Sequence, residues 1–349
     1  MTIAMTQQNT TDGESVYDEV TIYWGNFADS QLVSAFYGIV CTLGILGNLL
    51  AVFVLLRVPT LRSNTSDLLV HLSLVDCLVC VLVIPFKLVP TTGTAAPHPG
   101  LLGELICRLY ISQYIFWVCS LTSILCLVTV NLERYIAIVY PYKYKVLLTR
   151  KKKYLMIASC WIIGAMEQSF SVFLYGEDEE VGCKFLDWPS PGFRIAIGIP
   201  NVTFYFFGPF ALMTFMQWRV ITTLNRQVNL LKSRLASSDI HNPDGEREMW
   251  QLRTSRKLSK TLMTFVLTFA ACWALNNFYY LFYMFGVHAD FTSPTYHISV
   301  FLAVGNSCVN PIIYTMTNKS FRVGIRQAFS KGGDSTRVGD GTLENVALG

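Results

Sequence analysis

Residues 109–132 run for 24 positions without a charge, and at the end of that run an acid, a base and an aromatic arrive together as Glu133-Arg134-Tyr135. An apolar run of this length crosses a bilayer as a helix. Lipid admits only helices and closed barrels, because backbone polar groups find no water there. Six more such runs follow the same rule: 32–56, 68–86, 154–176, 195–218, 261–287 and 291–318. Across all of them the only Asp, Glu, Lys or Arg are Asp76 in the second and Glu167 in the fourth. The short alternating strands of a membrane barrel are missing. Composition agrees, with 14% charged residues, 52% hydrophobic residues and a mean hydropathy of +0.41, the balance of a membrane protein. The expected fold is all-α, a bundle of seven transmembrane helices.

Lys and Arg placement sets a direction for the chain. With the C-terminus inside, only Lys87, Arg108, Lys184 and Arg194 of the 27 basic residues fall outside. Residues 1–31 hold no Lys or Arg but carry Asp12, Glu14, Asp18, Glu19 and Asp29. The reading is an extracellular segment over 1–31, a bundle over 32–317, an amphipathic membrane-surface helix over 318–330 and a cytoplasmic tail over 331–349, in the plasma membrane. The first segment has no apolar core of a signal peptide, so the first span is expected to target the chain itself. Asn9-Thr10-Thr11 then offers Asn9 for glycosylation on the outer side.

The run Arg150-Lys151-Lys152-Lys153 flanks a span. It is read as meeting anionic membrane lipids rather than nucleic acid. Asn242-Pro243-Asp244-Gly245 reads as a turn in a polar loop whose ends extend the neighbouring helices. In the surface helix Phe321, Ile325 and Phe329 share one face, and Lys319, Arg322 and Arg326 form the basic one. No internal repeat suggests a two-half transporter. No nucleophile–base pair or metal-ligand spacing suggests an enzyme.

Each span carries a marker: Gly47-Asn48, Leu72 with Asp76, Glu133-Arg134-Tyr135, Trp161, Pro209, Cys272-Trp273 and Asn310-Pro311-Ile312-Ile313-Tyr314. In this order and spacing the chain resembles a rhodopsin-like (class A) G-protein-coupled receptor over residues 32–329. A mid-bilayer acid such as Asp76 is expensive. It is either a protonated structural carboxyl or an ion site. The resemblance implies the second, a sodium ion shared with Asn48, Ser123, Asn306, Ser307 and Asn310.

The resemblance also makes Glu133, Arg134, Tyr135 and Tyr314 the switch read by a heterotrimeric G protein, and Trp273 with Phe269 a rotamer toggle beneath the ligand. It pairs Cys107 with Cys183 in a disulfide. Cys107 stands 27 residues before Arg134, about half a turn further than in relatives, so a local adjustment is expected. Three positions depart from the family pattern: Ser255 replaces the acid that braces Arg134, Gln217 replaces a tyrosine, and Leu275 replaces the kinking proline after Trp273. A loose brace and measurable basal signalling are the expectation from the first two. In the seventh span Asn310 is expected to satisfy backbone groups freed by Pro311.

Val304 stands where opsins carry their retinal-linking lysine, and Phe116 where amine receptors carry aspartate. Family geometry lines a pocket with Gln113, Phe116, Trp117, Glu167, Asn276, Asn277 and Tyr280. The acids Glu177, Asp178, Glu179 and Glu180 make the outer mouth negative, which draws cations. The reading is a receptor for an extracellular neuropeptide with a cationic end. The alternatives are the same fold serving a lipid or other small molecule and, from a different class, a transporter or channel. Arrestin and receptor kinases are expected partners of the tail, through Ser330, Ser335, Thr336 and Thr342.

Overall fold

A computed structural model of the protein describes residues 31–61, 64–87, 100–178, 182–236, 243–291, 293–317 and 319–330. Seven helices among these are long and apolar enough to cross a membrane: Gln31–Arg57, Thr65–Phe86, Leu101–Val139, Arg150–Phe173, Pro191–Ala236, Pro243–Met284 and Pro294–Met316. They are called here the first to seventh spans. The third is the most enclosed, so it is the axis against which the others pack. Its buried face includes Leu121, Ile124, Leu127 and Val130, in one apolar cluster with Met213, Val266, Phe269 and Trp273 of the fifth and sixth spans.

The first span packs closely on its neighbours. A Cβ at Gly44 would collide with the sulfurs of Cys80 and Cys308, on the second and seventh spans. Small residues permit this approach where lipid supplies no hydrophobic drive.

Backbone irregularities fall where the sequence forces them. Pro209 has no N–H to give to the Tyr205 carbonyl, and a π-helical turn, Thr203–Phe207, sits in that gap. The third span opens with a helical turn Leu101–Leu105 and a π-helical turn Ile106–Ile111. A break at Gln113 (φ 60°) follows before the regular helix Tyr114–Val139. The sixth span runs unbroken through Leu275. Pro243, Asp244 and Gly245 form its first turn rather than a loop, because proline's fixed φ suits a helix start. Asn242 lies outside the described residues.

Two strands, β1 (Tyr175–Asp178) and β2 (Gly182–Phe185), pair antiparallel between the fourth and fifth spans, with Glu177 opposite Cys183. At the opposite end a short helix, Lys319–Phe329, follows the seventh span. Phe321 lies against Tyr314 and Phe329 against Phe53. Arg322 donates to the carbonyls of Thr315 and Met316, in the last turn of the seventh span, where a basic side chain can cap the helix end.

Candidate functional site

A disulfide joins Cys107 to Cys183, with Cα atoms 5.4 Å apart. The adjustment that the long spacing demands is the π turn together with left-handed Gln113. Side chains hold it in place. Arg108 donates to Glu104 at 2.8 Å and to the Val172 carbonyl at 2.8 Å, and Ser112 Oγ accepts from the Tyr114 N–H. The hairpin is thereby fixed over this end of the bundle, the disulfide end. Within it Tyr175 lies near Tyr283, and burial first, then that neighbour, pushes its phenol up to about 12. It is a neutral wall of the mouth.

Of the residues read as a pocket, Phe116 and Trp117 line a cavity with Ser120, Trp273 and Val304 that reaches down to Ser123, Asn306 and Ser307. The solvent-sized space in it is about 10 Å³, room for a single water. The others are placed differently. Asn277 donates to the Trp273 carbonyl of its own helix, and Asn276 donates to Ser299 Oγ on the seventh span. A buried amide takes whatever partner is nearest, so Asn276 ties the sixth span to the seventh, Asn277 is bonded within the sixth, and neither lines the cavity. Glu167 lies between the fourth and fifth spans, accepting from Gln168 at 2.9 Å and Asn201 at 3.2 Å. Gln168 also donates to Tyr205, whose hydroxyl donates to the Trp117 carbonyl and whose ring packs on Trp273. Gln113 is the break residue described above, and the Tyr280 ring packs at a tilt against Tyr283 near the mouth. Sequence reading missed Gln168, Asn201 and Tyr205; Gln168 directly follows Glu167, and Asn201 and Tyr205 stand one turn apart on a different span, so only the first lay beside the charge that marks the site.

Trp273 and Phe269 are both buried in the core. Below them Asp76 accepts from Ser123 Oγ at 2.5 Å and Asn310 Nδ2 at 2.6 Å. Pro311 cannot donate to the Ser307 carbonyl, and Asn48 Nδ2 takes it at 2.9 Å. The freed group is therefore satisfied by Asn48, not Asn310, whose amide is turned to the acid. Asn48 Oδ1 has no partner among the described residues.

At the far end Glu133 is 1% exposed. It accepts from Thr65 Oγ1 at 2.7 Å and Tyr144 OH at 2.6 Å, with Arg134 Nε at 3.5 Å. Tyr135 packs on Tyr140 and Phe215, and Tyr314 on Phe265. Ser255 is half-buried and supplies no charge to this cluster. Gln217, read as a weak point, is instead wholly buried and bonded to Asn131 and Ser259.

Asn9, Glu179 and Glu180 lie outside the described residues. Glu177 and Asp178 are placed on β1 by their backbone alone.

With this geometry in hand, comparison with known proteins decides the family. The model of the seven-transmembrane receptor (rhodopsin family) matches residues 47–314. The chain belongs to that family. It is a multi-pass membrane receptor of the G-protein-coupled kind and not an enzyme. Similar curated proteins include the allatostatin-A receptor of Bombyx mori, 26% identical over 318 residues, covering 85% of this chain and 79% of its own length. Neuromedin-U receptor 2 of Rattus norvegicus is 28% identical over 321 residues, 85% and 75% of the two chains. Somatostatin receptor type 3 of Rattus norvegicus is 26% identical over 303 residues, 85% and 68%.

Proposed function

We propose that this receptor is opened by an extracellular peptide with a cationic end, which docks on the disulfide end of the bundle, and that Arg134 at the opposite end faces the G protein in the cytoplasm. The carrying observation is the contrast between a fixed, acid-bearing hairpin at the mouth and a cavity beneath it of about 10 Å³. Pockets for enclosed small molecules are usually preformed and far larger. An extended peptide engages mostly outside and needs no interior chamber. The named peptide receptors among the relatives support the same reading. Basic residues concentrated toward the Arg134 end support the orientation.

The test begins with a neuropeptide library read by calcium and cyclic AMP in transfected cells. Reversing Glu177, Asp178, Glu179 and Glu180 to lysine should weaken the active peptide's binding and flatten its salt dependence, because exposed charges act through a screened field. Unchanged affinity removes the cationic end from the account.

The donor set at Asp76 fits a sodium ion: the carboxylate and the Ser123 hydroxyl bonded to it are hard oxygens, and Asn48 Oδ1, on a side chain bonded to the nearby Ser307 carbonyl, has no partner among the described residues. Exchanging KCl for NaCl at constant ionic strength should raise the thermal midpoint of the purified receptor but leave an Asp76→Asn variant unmoved. Equal response of both proteins argues for a structural acid. Ser330 and the tail hydroxyls are the proposed targets of receptor kinases, with arrestin reading the product.

A further inference from the structure

Near the Arg134 end three polar side chains from three spans meet in an apolar setting. Asn131 is on the third span, Gln217 on the fifth and Ser259 on the sixth; their exposures are 0%, 0% and 1%. Ser259 Oγ donates to Gln217 Oε1 at 3.2 Å, Gln217 Nε2 donates to Asn131 Oδ1 at 2.6 Å, and Asn131 Nδ2 donates to the Leu127 carbonyl at 2.8 Å. The chain of donors therefore runs one way across the helices and ends on backbone, and no atom of it is left unpartnered. Around it Leu127, Val130, Met216 and Leu262 belong to the main apolar cluster.

We propose that the Asn131–Gln217–Ser259 chain is the latch of this end of the receptor, with Gln217 as the positioning residue that couples all three spans. Buried networks are all-or-none in their energetics. Fully satisfied they fix one arrangement, and each group left without a partner in an apolar place is costly. Moving the sixth span away from the fifth separates Ser259 from Gln217 and strands Oε1. Moving the fifth from the third strands Asn131 Oδ1. Opening of this end thus carries a cost borne by neutral amides, and one that screening by salt does not reach. This is the opposite of the loose brace expected from Ser255 and Gln217 together: the restraint has moved from an ion pair on the sixth span to an amide on the fifth. The latch rests on membership of the receptor family, and not on the peptide reading.

The test uses the full-length receptor. Ser259→Ala and Gln217→Leu, matched for surface abundance, are compared with wild type for ligand-free recruitment of a labelled G-protein surrogate. Ser259→Ala should raise it about fivefold, the order expected for one buried hydrogen bond, and Gln217→Leu, which removes two, by at least as much. The double variant should do no more than the larger single one, because the two residues act through one chain. A second readout needs neither ligand nor G protein. Spin labels at the Arg134 ends of the third and sixth spans, in lipid nanodiscs, should report a broadened or longer distance in Ser259→Ala. An unchanged distance distribution in Ser259→Ala overturns the latch even if signalling rises. Strictly multiplicative signalling effects of the two substitutions overturn it as well. Should Gln217→Leu fail to reach the surface, Ser259→Ala in both assays decides.

Discussion

Glu133 illustrates how one buried atom pair is shared. Its two oxygens accept from Thr65 and Tyr144 at hydrogen-bond length, while Arg134 stands further off at 3.5 Å. The hydroxyls, not the guanidinium, hold the acid in place. Glu133→Gln keeps an oxygen acceptor for one hydroxyl, leaves the other to turn and accept from the amide N–H, and removes the charge facing Arg134. The contact is long at 3.5 Å and its arginine is partly exposed, so its loss should cost about 1 kcal/mol and raise ligand-free signalling by about fivefold. A rise of a hundredfold in a G-protein recruitment assay would mean that the ion pair is the main restraint. Asn48 offers a second test at this scale. Asn48→Leu strands the Ser307 carbonyl that Pro311 leaves free, which should cost about 1–3 kcal/mol of stability. The thermal midpoint of purified receptor should fall accordingly, and an unchanged midpoint would show that another group serves that carbonyl. The sequence makes Asp76, Glu133 and Arg134 legible, because a charge inside or beside an apolar run stands out. Gln217 reads there only as a departure. Its partners come from spans some 86 and 42 residues away, and no local pattern pairs them.

At the scale of elements, the spans themselves are plain from charge-free runs, and the amphipathic spacing of Phe321, Ile325 and Phe329 marks the last helix. The start of the third span is not plain. A surplus of residues between Cys107 and Arg134 says that something must give, but not whether a loop, a kink or a π turn absorbs it. The structure uses a π turn and a left-handed Gln113. That conformation is easy for glycine and hard for β-branched residues. Gln113→Val should therefore lower the thermal midpoint, by a strain of about 1–3 kcal/mol, whereas Gln113→Gly should be neutral or better. The reverse order would place the break elsewhere. Cys107→Ser releases the hairpin from this element and should cost about 2–5 kcal/mol, seen as loss of surface expression and of peptide binding together. Leu275 teaches the converse lesson. The absence of proline after Trp273 permits a continuous sixth helix, and the following Asn277 bonds back to its own backbone instead of breaking it.

As a whole the molecule is a polar seam enclosed by apolar rods. From the mouth it passes Trp117, Tyr205 and Trp273, then the Asp76 cluster, and ends at Glu133 and Gln217. Each station joins at least two spans, so a displacement at one changes the partners available at the next. This is how one end can bias the other when both arrangements differ by only a few kcal/mol. Tags placed at the two chain ends should be accessible from opposite faces of the plasma membrane, as an odd number of spans requires. The central claim, that a peptide at the mouth drives nucleotide exchange at the far end, is tested most directly with purified receptor in lipid nanodiscs, purified heterotrimeric G protein and the peptide library. The account predicts that at least one cationic peptide accelerates GDP release and that the four-acid reversal reduces its potency. Release that responds to lipid extracts but to no peptide would contradict it.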